Sequence, residues 1–116
     1  MTDTLYTTDA LFVGKDEVVF ATYVRLLAAL QQIGPFEVEP KKTSIHLVHS
    51  GGFAGVHPRK SYLILNLRTD HRIDSERIAK TEQVSKNRYH CEVKLTAPED
   101  IDDELLGWLR QAYTLG

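Results

Sequence analysis

Five histidines, His46, His49, His57, His71 and His90, and one cysteine, Cys91, are the residues of this 116-residue sequence with the widest chemical range. Imidazoles ligate transition metals, act as general bases near neutral pH and, once protonated, hold anions. A thiol next to an imidazole in sequence invites a nucleophile reading. All five histidines lie between residues 41 and 94, together with eleven of the fourteen Lys and Arg residues. Ligation, thiol chemistry, acid–base catalysis and anion binding are therefore the chemistries to weigh, and the elements that carry these side chains decide among them.

Asp16 to Ile33 reads as an amphipathic helix. Val19, Phe20, Tyr23, Leu26, Leu27, Leu30 and Ile33 recur at three- and four-residue intervals, Asp16 and Glu17 suit the positive end of the helix dipole, and Gly34-Pro35 stops it. From Phe36 to His49 the period changes to two, with Ile45 and Leu47 on one side and His46 and Val48 on the other. His49-Ser50-Gly51-Gly52 is a turn and Phe53 to Val56 the returning strand. Tyr62 to Arg68 alternates clearly, with the Leu63, Leu65 and Leu67 face in the core. Arg77 to Glu82 is predicted as a short edge strand. Arg88 to Leu95 places Tyr89, Cys91, Val93 and Leu95 inward. Thr96-Ala97-Pro98-Glu99 has the spacing of a capping box, and Ile101, Leu105, Trp108, Leu109, Ala112 and Tyr113 trace the stripe of a last helix.

The pattern predicts one α+β domain over residues 1–116: a four- to five-stranded antiparallel sheet with an N-terminal and a C-terminal helix packed on one face. Residues 1–10 are expected to be a flexible or loosely packed segment. The expected core is Phe20, Tyr23, Leu27, Leu30, Ile45, Leu47, Leu63, Leu65, Leu67, Val93, Leu105, Trp108 and Leu109. One cysteine excludes an intramolecular disulfide framework and a four-cysteine zinc set. With no apolar run near 20 residues and no secretory leader pattern, the expectation is a cytoplasmic protein without a membrane partner.

On this fold His46 and His49, three apart on a strand, face opposite sides, and His90 faces away from Cys91. The expectation is therefore no metal, no cofactor and a structural cysteine. Anion binding fares better. The net charge of -2 divides into two basic and six acidic residues over 1–40, eleven and five over 41–94, and one and five over 95–116. The outward phases give a basic sheet face with Lys42, His46, Arg59, Arg68, Arg88, His90 and Lys94 as the candidate anion-binding residues and Tyr62 as the candidate stacking residue.

Taken in order, the helix, Ile33-Gly34-Pro35, Lys41-Lys42-Thr43-Ser44-Ile45, Phe53-Ala54-Gly55-Val56-His57-Pro58, Tyr62-Leu63-Ile64-Leu65 and Ala97-Pro98-Glu99-Asp100-Ile101-Asp102 leading to Ala112-Tyr113 resemble the uncharacterised family called domain of unknown function 5655. The resemblance spans nearly the whole chain from about Leu11. It implies a small prokaryotic domain, alone or appended to larger proteins, and brings no functional residues with it. More distantly, the layout is similar to MmcQ/YjbR-type proteins, which carry a DNA-binding label.

The function expected from the sequence is a non-enzymatic module that contacts an anionic partner (nucleic acid, phosphate or an acidic protein surface) through the basic sheet face. One alternative is a small-molecule enzyme on the same face, with His46 or His90 as general base and Arg88 or Lys42 holding a substrate carboxylate or phosphate. Another is a structural or regulatory domain acting as a homodimer, docked through Val48, Tyr62 and Ile64.

Overall fold

Residues 7–115 are described in the computed structural model, so residues 1–6 of the N-terminal segment expected to be loosely packed lie outside the described residues. Asp9–Phe12 forms a 3-10 turn whose Phe12 ring lies against Phe20 and Tyr23, with centroids 5.2 and 5.0 Å apart. Helix α1 follows at Glu17–Leu30. Its N-cap residue Asp16 accepts a hydrogen bond from Lys60 Nζ at 2.8 Å, which ties the start of the helix to the loop after the third strand.

Six strands then form one antiparallel sheet: β1 Glu37–Pro40, β2 Ile45–Val48, β3 Gly52–Pro58, β4 Leu63–Thr69, β5 Ile78–Ser85 and β6 Arg88–Leu95, in the spatial order β1-β2-β3-β4-β6-β5. The α+β class and the antiparallel sheet match the sequence reading, but four to five strands was an undercount. Val38 and Pro40 fall on even positions and Ile45 and Leu47 on odd ones, a break in phase that the reading of Phe36 to His49 as a single strand passes over. In fact the chain doubles back at residues 41–44, where Lys41 N–H donates to Ser44 O at 2.7 Å and Pro40 pairs with Ile45. A tight turn without glycine or asparagine gave no compositional warning. The edge strand β5 also runs three residues past its expected end at Glu82.

Helix α2, Asp103–Thr114, begins later than the capping-box spacing suggested. Asp100, not Glu99, closes the preceding turn, its Oδ2 accepting from Thr96 N–H at 2.7 Å, and Asp102 caps the helix itself by accepting from Leu105 N–H at 3.0 Å. Arg77, just before β5, then fastens the sheet to this helix start. Its guanidinium donates to both Asp102 oxygens at 2.8 and 3.0 Å, to Glu104 Oε1 at 3.0 Å and to Asp100 O at 2.8 Å. Those bonds hold the Asp102 carboxyl below the usual carboxylate range.

One sheet face packs on the helices. Ile45, Leu47, Phe53, Val56, Leu63, Leu65, Leu67, Val93 and Leu95 meet Val19, Tyr23, Leu26, Leu30, Leu105, Leu109 and Ala112 in a single buried cluster. Leu27 and Trp108, expected in the core, pack against it half-buried. Phe20 is a correction: it is 44% exposed, because it lies on the flank of the α1 stripe and covers Phe12 and Tyr23 from outside. Among the described residues no helix is long and apolar enough to cross a membrane. Among the described residues no helix lies against the other sheet face, and its rows are set by strand register.

Candidate functional site

Because a strand's side chains alternate, the residues that face away from the helices fall into rows across the sheet. Register places His46 opposite Gly55, Gly55 opposite Asn66 and Asn66 opposite Glu92. On one side of that row His57 pairs with Ile64 and Ile64 with Lys94; on the other Arg68 pairs with His90. Directly opposed side chains in an antiparallel pair start about 5 Å apart at Cβ. Arg68 and His90 are thus immediate neighbours, and His46 and Asn66 flank a position that has no side chain.

That missing side chain makes the face concave. Gly52, Ala54 and Gly55 of β3 floor a hollow of about 190 Å³, and His46, His57, Asn66, Arg68 and His90 wall it. A β-bulge shapes the same stretch. Register slips between Leu47 and Val48, so that Leu47 faces Ala54 while Val48 faces Gly52. The extra residue, Phe53, turns fully into the core, where its ring meets Phe36 and Tyr113 with centroids 6.5 and 5.3 Å away. A bulge bends and twists its strand, which re-aims the side chains beyond it. The turn ahead of it uses Ser50 at φ 53° and Gly51 at φ 109°. A Cβ on Gly51 would sit 3.6 Å from Arg68 Nη1, so the guanidinium reaches over that turn.

Arg68 has unmet bonding capacity. Its Nε and Nη2 atoms are buried and have no hydrogen-bond partner among the described residues. These two N–H groups point along one edge of the guanidinium plane, the edge that presents two parallel donors to a carboxylate or phosphate. A buried donor left unmatched costs about 1–3 kcal/mol. Burial first, and then the charge of Arg88, push the Arg68 pKa below the ordinary arginine value. Among the described residues neither Arg59, Arg68 nor Arg88 enters an ion pair, whereas Arg77, Lys41 and Lys60 each have a carboxylate partner.

The imidazoles share this cationic setting. Burial first, then the Arg59 charge, hold His57 below the ordinary histidine range; Glu92 pulls it back up and His46 pushes it further down. Among the described residues no cluster of three or more His, Cys, Asp or Glu side chains is placed to hold a metal ion. Cys91 is fully buried on the core face, 3.7 Å from Thr69 Oγ1, with His90 on the opposite face of the sheet.

Of the sequence candidates, the hollow gathers His46, Arg68 and His90. Arg88 and Arg59 stand outside its wall and act on Arg68 and His57 through their charge. Lys42 is exposed in the turn between β1 and β2, away from the hollow. Lys94 sits over the Tyr62 ring with its Nζ 4.4 Å from the centroid, so the candidate stacking residue already carries a cation on its face. The sequence reading missed His57 as a wall residue and Gly55 as floor, and put Asn66 on this face without counting it among the binding residues. The signal for His57 was available: Val56 faces inward, so its neighbour on β3 faces out.

The family model for Domain of unknown function (DUF5655) matches residues 8–116, and the chain belongs to that family. No curated protein and no solved structure matches it.

Proposed function

We propose that this member of the family is a binding module for a small anionic group, a carboxylate or phosphate, which enters the hollow on the open sheet face. The observation that carries the proposal is the unpartnered edge of Arg68 beside three imidazoles and an amide. Two parallel N–H donors without an acceptor among the described residues are matched by two anionic oxygens from outside, which reach these covered atoms when the guanidinium turns into the hollow. His46, His57 and His90 supply further donors once protonated, and Asn66 supplies an amide. Binding is favoured over acid–base catalysis with His46 or His90 as general base because, among the described residues, no carboxylate orients any of these three rings, the arrangement such a base uses.

The pH dependence has a definite sign. His57 is faced by His46 from β2, by Arg59 beyond its own strand, by Ile64 and Lys94 along its row and by Glu92 on β6. These surroundings favour the neutral imidazole, so the fold loses stability as pH drops through 6.5 toward the lower folded value, where the unfolded chain takes the proton first. An anion beside the ring reverses that preference and binds together with a proton. Sulfate, a dianion across this range, is therefore expected to bind in low salt more tightly at pH 5.5 than at pH 7.5, because it takes up a proton with it. Calorimetric titration reads this directly. Undetectable binding, or an affinity independent of pH, would contradict the proposal.

A further inference from the structure

We infer that the group taken up in the hollow is the terminal phosphoryl of a phosphomonoester, an inference that rests on the anion-binding proposal above. Three observations favour it over a carboxylate or a phosphodiester. The first is the direction of the donors. Arg68 and Asn66 approach from β4, His90 from β6, and His46 and His57 from β2 and β3. A carboxylate presents two oxygens in one plane, and a phosphodiester has two free oxygens with chain leaving on both sides. A phosphomonoester presents three terminal oxygens arranged tetrahedrally, which suits donors arriving around a centre.

The second is charge. Arg59, Arg68 and Arg88 have no carboxylate partner among the described residues, while Glu92 is already flanked across the sheet by Lys80. A phosphomonoester carries about -1.5 to -2 near neutral pH, more than the single charge of a carboxylate or a diester. The third is room. A hollow of about 190 Å³ has several times the roughly 30 Å³ share of one water molecule, enough for a phosphoryl group and a few more heavy atoms. Its floor of Gly52, Ala54 and Gly55 lets the ligand approach the strand backbone closely.

The test uses the full chain without substitution and three probes at one pH and ionic strength: phenyl phosphate, dimethyl phosphate and acetate, followed by calorimetry. Phenyl phosphate is expected to bind at least tenfold more tightly than either of the others. A preference below tenfold, with binding still present, overturns the phosphoryl assignment and leaves the anion site standing; no binding by any of the three overturns both. A fourth arm compares a 5′-phosphorylated oligonucleotide with its 5′-hydroxyl form. A 5′-phosphorylated form that binds more tightly than both its 5′-hydroxyl form and phenyl phosphate supports a nucleic-acid end as the source. Any other order supports a small phosphorylated metabolite.

Discussion

Arg68→Ala is expected to weaken sulfate binding roughly 30- to 150-fold, the equivalent of about 2–3 kcal/mol, while leaving the fold as stable as before or slightly more stable. The two effects differ because of what Arg68 does and does not touch. Among the described residues its Nε and Nη2 donate to nothing, so truncation removes no hydrogen bond seen there and relieves the burial of two unmatched donors and the repulsion from Arg88. Toward an anion, the same atoms form a charge-assisted pair of bonds, the strongest contact the hollow offers. Arg68→Lys should recover only part of the affinity, since an ammonium restores the charge without the two-pronged edge. Calorimetry with sulfate and thermal unfolding of the same samples separate the effects. A variant that loses stability in step with affinity would mean that Arg68 is a structural residue.

Gly55→Val should raise stability more clearly and weaken binding as well. A Cβ at Gly55 would meet His57 Nε2 at 3.7 Å and Asn66 Cβ at 3.9 Å, ordinary van der Waals distances, and Gly55 is not among the residues with positive φ. Valine is thus accommodated in the middle of β3, where glycine forfeits both strand propensity and chain entropy. A gain of roughly 1 kcal/mol is expected, a rise in Tm of about 4 °C. Its two methyl groups would fill the floor between His46, His57 and Asn66, and sulfate affinity should drop at least tenfold. A more stable protein that no longer binds rules out unfolding as the cause. If Gly55→Val binds normally, the anion does not sit over the β3 floor.

The open face was partly legible in the sequence, and the reason is periodicity. Leu63 to Arg68 and Arg88 to Leu95 alternate cleanly, which fixed the outward phase of Arg68 and His90 and the inward phase of Cys91. What alternation cannot give is strand order. Arg68 and His90 become cross-strand partners because the β5–β6 hairpin inserts its second strand against β4 and leaves β5 at the edge. Nor does it announce a bulge. An extra residue at Phe53 sends that ring to the core and leaves Ala54 and Gly55 under the hollow, a change of course with no mark in the residue types beyond small side chains in a strand.

The charge pattern was legible in outline and misleading in detail. The middle block is basic as counted, yet Arg77 belongs to a clamp on the start of α2, Lys94 to the Tyr62 ring and Lys60 to the N-cap of α1. Among the described residues Arg68 is the one unpaired Lys or Arg of this block that lines the hollow, with Arg59 and Arg88 near enough to act on His57 and Arg68; Lys42, Arg72, Lys80 and Lys86 enter no ion pair either and do not line it. Phe20 shows a similar limit on the helical side: the 3.6-residue stripe includes it, but a residue at the edge of a stripe is decided by what lies beyond the helix, here the Phe12 ring.

The most direct test of the anion site uses the five histidines as reporters in one NMR titration with sulfate at pH 6. His46, His57 and His90 line the hollow, whereas His49 is stacked on Tyr113 with ring centroids 4.2 Å apart and His71 bonds Asp70 Oδ1 through Nδ1 at 2.7 Å, both outside it. The expected result is that the imidazole signals of His46, His57 and His90 shift and saturate together with a single Kd, while His49 and His71 stay where they are. Shifts of all five histidines in proportion to ionic strength, without saturation, would contradict a site in the hollow.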